Sequence, residues 1–112
     1  QGEWDGTDHF HTSWYEFCGF RRGMLNCTYF ADQAALINGR RTFWDESKAV
    51  FMYWQKSSQW AVCQRWQNRQ DLFKEVQRGR DLGWAHFLSP GLWAEFSDGY
   101  WHNVKVTTVI GR

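Results

Sequence analysis

A mainly β domain is the fold class this sequence predicts: a small antiparallel sheet, sandwich or open barrel built of hairpins, with at most one short helix. Three observations predict it. Short runs of aromatic and β-branched residues recur along the chain, turn residues separate them, and only one segment carries helical spacing. A length of 112 residues suits a single domain, residues 1–112, with a modest core. Nine Trp and nine Phe more than supply that core, since each buried aromatic removes roughly 150–250 Å² from water. Some rings are therefore expected at the surface, where grouped aromatics mark a partner or a ligand.

The elements follow in order. Residues 14–20 and 25–30 read as a hairpin around 21–24. Asn38-Gly39, followed by a strand over 40–44, is the strongest turn signal, because both residues tolerate the positive φ of a type I′ turn. Residues 49–54 and 60–66 form a second hairpin, closed by the polar loop 55–59. Residues 67–79 are the one predicted helix. Leu72, Phe73 and Val76 share a face there, Asp71 caps the start and Gly79 ends it. Arg65, Arg69, Arg78 and Arg80 surround it as a solvated basic face. Gly83, Ser89, Pro90 and Gly91 mark a loop. Residues 93–96 and 100–109 make the last hairpin over Ser97-Asp98-Gly99. The expectation is five to eight strands, with Met52, Trp60, Val62, Trp93 and Trp101 in the core.

Charge and hydropathy exclude some functions. Thirteen basic against twelve acidic residues leave a net charge of +1, without the footprint of a phosphate-backbone binder, so no nucleic-acid partner is expected. The longest apolar run, 49–54, is far shorter than the ~20 residues that span a bilayer. No direct membrane span is expected, and contact with a membrane runs through another protein. The chain begins at Gln1 rather than Met, which suits a processed chain in an organelle or the secretory route.

Cys18, Cys27 and Cys63 are too few for a disulfide scaffold. A two-residue turn at Arg22-Gly23 puts Cys18 opposite Cys27 in a non-hydrogen-bonded pair, Cα atoms ~4.5 Å apart. A disulfide accepts roughly 4.4–6.8 Å. A three-residue turn with a Gly bulge shifts the register by one and separates the pair. Both registers are open at this level. Asn26-Cys27-Thr28 is a formal N-glycosylation sequon, relevant to a secreted chain. Cys63 lies mid-strand, where a buried inert thiol is expected.

Residues 26–110 resemble a small Trp/Tyr-rich β module of many algal and other protist proteins and some extracellular animal proteins. The matching features are Asn38-Gly39-Arg40, Phe51-Met52-Tyr53-Trp54, Trp60-Ala61-Val62-Cys63 and Asp71-Leu72-Phe73. They continue with Val76-Gln77-Arg78-Gly79, Gly83-Trp84-Ala85, Trp93 and Asp98-Gly99-Tyr100-Trp101. The resemblance implies a structural or adhesive unit without a catalytic residue set. Residues 1–25 fall outside it, as an N-terminal extension or hairpin. A freestanding, nearly neutral, aromatic-rich domain of this kind suits an accessory subunit on a larger assembly, such as an extrinsic subunit of a photosynthetic or respiratory membrane complex.

No enzyme chemistry and no cofactor are predicted, because neither a nucleophile elbow nor a Gly-rich phosphate loop occurs. The binding surface is expected on residues 49–54, which are apolar on both faces of an alternating strand. One face joins the core; the other, with Phe51 and Tyr53, needs a cover, which is a protein partner or the domain's own loops. Trp44, Trp54 and Trp60 complete this aromatic patch. The alternative ligand is a glycan, for which Trp44, Trp54 and Trp60 supply a stacking platform beside Asp45, Gln55 and Gln59. A second alternative is a metal on His9, His11 and Glu16. His-x-His on a strand shares one face, and these residues with Gly23 resemble the first half of the cupin metal motif, whose second half is missing. Glu95 and His102 face each other if Asp98-Gly99 is a two-residue turn, as a cross-strand charge pair.

Overall fold

The computed structural model describes residues 3–65, 67–77 and 83–112. Among them the chain forms β1 (Trp14–Cys18), β2 (Thr28–Ile37), β3 (Arg40–Trp44), β4 (Val50–Trp54) and β5 (Trp60–Gln64). Helix α1 (Arg69–Gln77) follows, then β6 (Ala85–Ser89), β7 (Leu92–Ser97), β8 (Tyr100–Lys105) and β9 (Thr107–Gly111). The fold is mainly β, as expected, but with nine strands rather than five to eight. Two misread segments account for the difference. The expected loop over residues 85–89 is a strand, because Gly91 at φ 77° turns the chain after Pro90 and returns it as β7. The expected single strand over 100–109 breaks at Val106 into β8 and β9.

That break shapes the molecule. The strands pair antiparallel in the order β8-β7-β6-β5-β4-β3-β2-β1-β9. β8 and β9 therefore lie at opposite edges, yet only Val106 separates them in sequence. Two residues reach at most about 7 Å, so the sheet must curl until its edges meet. The result is a nearly closed barrel. The Val106 N–H holds the corner by donating to the Gly91 carbonyl at 3.0 Å.

Turn chemistry sets the registers. Asn38 and Gly39 both have positive φ (53° and 79°), and so do Asp98 and Gly99 (54° and 88°). These are the two-residue turns expected from Asn-Gly and Asp-Gly, and they pair Ile37 with Arg40 and Ser97 with Tyr100. The loop 55–59 closes β4 on β5 with Trp54 opposite Trp60.

The interior is filled by rings from alternate strand positions. Tyr15, Phe17, Tyr29, Phe43, Val50, Met52, Trp60, Val62, Ala85 and Trp93 are all buried in one cluster. Trp4 completes it from outside the sheet. Its ring centre lies 4.7 Å from Tyr15, 5.3 Å from Phe87 and 6.1 Å from Trp60, and its indole N–H donates to the Thr7 carbonyl. Trp4 thus plugs the barrel, and β1 pairs on both sides, with β2 and with β9.

A second cluster lies on the barrel's outer wall. α1 lays Leu72, Val76 and Phe73 over Ile37, Trp44, Phe51, Tyr53, Ala61 and Cys63. The shared helical face is as expected, but the cap is Asn68 rather than Asp71. The Asp71 N–H donates to Asn68 Oδ1 (3.0 Å), and Asn68 Nδ2 donates back to Asp71 Oδ2 (2.8 Å), a reciprocal pairing of the capping-box kind. Arg69 is drawn from the basic face into a salt bridge with Asp32, with its guanidinium 4.6 Å from the Trp44 ring centre. Trp66, Arg78, Arg80 and the expected helix end at Gly79 lie outside the described residues.

Candidate interaction surface

The helix-covered wall corrects the sequence expectation for the binding patch. Phe51, Tyr53, Trp44 and Trp60 are each fully buried. Alternation does send Phe51 and Tyr53 to the face opposite Met52, but the cover they need is α1 and not another protein. A run apolar on both faces has the same sequence whether its second face meets its own helix or a partner.

The glycan platform is corrected for a related reason. Trp44 and Trp60 are core, and the Trp60 N–H donates to the Gly6 carbonyl at 2.7 Å. Trp54 lines an open cleft of 440 Å³ at the barrel mouth, with Asp5, Ser57, Ser58, Gln59 and Leu88. However, the Arg40 guanidinium stacks over its ring at 3.9 Å and Trp60 meets it edge-on at 5.1 Å. One ring face that a sugar would stack on is thus already taken by Arg40. Gln55 is buried beside Tyr53.

His9 and His11 do not share a strand face. The Thr12 N–H bonds to the His9 carbonyl, which turns the chain there, and both imidazoles are exposed. Glu16 faces outward on β1, opposite Val109. Among the described residues no three His, Cys, Asp or Glu side chains are grouped to hold a metal ion.

β1 and β2 pair with Trp14 opposite Phe30, an index sum of 44, which is the shifted one of the two open registers and separates Cys18 from Cys27. Cys18 falls on the outer face and Cys27 turns inward opposite Phe17, and both are free thiols. The cause is the 3-10 turn Gly23–Leu25, which replaces a tight two-residue turn. Burial pushes the Cys27 thiol up from its ordinary value. The sequon asparagine is committed to the same loop: Asn26 Oδ1 accepts from the Gly19 and Phe20 N–H groups, and Nδ2 donates to the Phe20 carbonyl.

Glu95 faces His102 in register, as expected, yet they form no charge pair. The buried Glu95 carboxylate turns inward and accepts the Arg21 N–H at 2.6 Å and the Arg22 N–H at 2.8 Å. The loop that fills this barrel end is thereby latched to β7. At the other end, Arg41 grips Asp8 through two nitrogens (2.8 and 2.9 Å), and Tyr15 donates to the same carboxylate. Burial and the Asp8 bond raise the Tyr15 hydroxyl pKa well above its ordinary value.

The exposed aromatic surface is elsewhere. On the outer wall of β6–β8, beyond α1, Phe96 pairs with Trp101, and His86 pairs with Ala94, itself opposite Asn103. The His86 ring stacks on Trp101 (5.1 Å, 25°), and Phe96 meets Trp101 nearly edge-on at 5.4 Å. Trp101 is 50% exposed, which corrects its expected place in the core. Tyr100, 61% exposed, stands at the strand's end. The signal was present in the sequence: the Asp98-Gly99 turn fixes Trp101 opposite Phe96, on the face opposite buried Trp93 and Glu95.

Acid should loosen the structure in a defined window. Burial alone would raise Asp45 and Asp32, but bonds from Ser47, Val50 and Ala49, and from Arg69 and Ala34, outweigh it and lower both. A carboxylate lowered on folding stabilises fully above its unfolded value, and that stability is lost as pH falls through the folded value. Melting temperature is therefore expected to drop below about pH 4, with a shallower drop in Asp45→Asn.

No family model matches the chain, and neither a curated protein nor a solved structure matches it.

Proposed function

We propose that this chain is a non-enzymatic interaction module that docks on a protein partner, in the manner of an accessory subunit on a larger assembly. The observation that carries this reading is the half-exposed Trp101, braced by His86 and Phe96 on a stretch of outer wall that α1 leaves open. Braced aromatics lose little side-chain freedom on binding, and Trp, Tyr and Phe are enriched at the centres of protein interfaces. The near-neutral charge favours apolar contact over electrostatic steering.

Truncating a central interface anchor costs about 2 kcal/mol or more, which weakens binding roughly 30-fold. Native purification from the source is expected to bring the wild-type chain down with a larger complex. Trp101→Ala is expected to keep its melting temperature and leave the complex. A free chain retained on a polysaccharide column would overturn the reading in favour of a glycan ligand, and a Trp101→Ala chain that stays bound would overturn the surface.

A further inference from the structure

β8 forms one edge of the sheet, and its backbone is only half used. Ser97 and Tyr100 flank a two-residue turn, so they make a hydrogen-bonded pair, and bonding then alternates along the hairpin. Tyr100, His102 and Val104 bond to β7. The N–H and C=O groups of Trp101, Asn103 and Lys105 point the other way. β1 would meet them in a closed barrel, but it ends at Cys18. Gly19, at φ 127°, packs so tightly on the Lys105 carbonyl that a Cβ there would collide with it. The open window is therefore limited to Trp101 and Asn103.

Unpaired strand edges template the addition of another strand, and proteins block them with Pro, bulges or inward-facing charges. β8 has no bulge against β7 and no Pro, and its one charged residue is Lys105, beyond the window. We propose that a second copy of this chain adds its own β8 antiparallel to this edge, about a two-fold axis through His102. The register follows from the window. Trp101 exchanges both backbone hydrogen bonds with Asn103 of the other copy, and Asn103 with Trp101, so both open residues of each chain are satisfied.

The side chains suit that register. Trp101 lies across from the small Asn103 rather than from a second indole. On the other face Tyr100 lies across from Val104, an aromatic–β-branched pair of the kind that stabilises antiparallel sheets. Such an interface is isologous and closes as a dimer. It uses the strand's edge and leaves the outer wall free, so the two Trp101–Phe96–His86 strips lie side by side on one continuous sheet. Dimerisation uses backbone groups of the β8 edge and docking uses the outer wall, so either can fail without the other.

Sedimentation of the purified chain tests it, with Asn103→Pro as the variant. The Asn103 N–H points away from β7, so proline there spares the ladder that folds the monomer but removes two of the four intermolecular bonds. The wild type is expected to sediment at twice 13.4 kDa, and Asn103→Pro at the monomer mass with an unchanged circular dichroism spectrum. Amide hydrogen exchange supplies a readout that needs no variant: protection of Trp101 and Asn103 should rise with wild-type concentration. A wild type that stays monomeric up to millimolar concentration overturns the proposal, as does a dimer that persists in Asn103→Pro. Exchange at Trp101 and Asn103 that does not change with concentration does so too.

Discussion

Trp4→Ala is expected to lower the unfolding free energy by about 3–5 kcal/mol, the range for removing a buried Trp from a packed core. Trp4 is 3% exposed and touches rings from β1, β5, β6 and β7. The neighbouring interior rings are already packed on one another, Phe17 and Phe87 both against Trp93, so they do not move in to fill the space. The vacated volume therefore stays a cavity. Urea denaturation measures the loss, and Phe10→Ala is the control, since Phe10 sits in the same segment but is 84% exposed. A Trp4→Ala effect within the ±0.5 kcal/mol or so of a surface substitution would show that the segment only rests on the barrel.

The second large effect is expected at Asp8. Its carboxylate and the Arg41 guanidinium are 11% and 12% exposed, and Arg41 also donates to the His9 and Thr12 carbonyls. Asp8→Ala leaves this guanidinium without its counter-charge and Tyr15 without its acceptor. Removing one partner of a buried pair commonly costs about 3–5 kcal/mol. The loss is expected to be partly recovered in Asp8→Ala/Arg41→Met, because the stranded charge is gone. A double-mutant cycle in urea checks this. Single losses that simply add would mean that the two residues act independently.

Both positions lie in the N-terminal segment, where sequence reasoning was weakest. Trp4 stands among Gly, Asp and Thr with no strand periodicity, so nothing local says that its ring enters the core. His9 and His11 read as candidate metal ligands if His-x-His lies on a strand, whereas the chain turns at residues 9–12 and Asp8 meets Arg41. The hairpins fared better. Asn38-Gly39 and Asp98-Gly99 state their own backbone geometry, and their registers follow from it. Arg22-Gly23 looked similar but formed a 3-10 turn, and a one-residue shift was enough to separate Cys18 from Cys27.

The candidate surface shows the same division. Alternation correctly sorted Phe51 and Tyr53 from Met52, and the same rule places Trp101 beside Phe96. It could not say which outer wall α1 would cover, because both walls carry aromatics. The sequence by itself determined the strand periodicity, the tight turns and the amphipathic face of the helix, since each depends on interactions within a few residues. Only the tertiary structure decided that the sheet curls until its edges meet at Val106, that Trp4 fills it, and that α1 covers Phe51 and leaves Trp101 exposed. Those outcomes depend on contacts between residues far apart in the chain, and no local pattern of side chains encodes them.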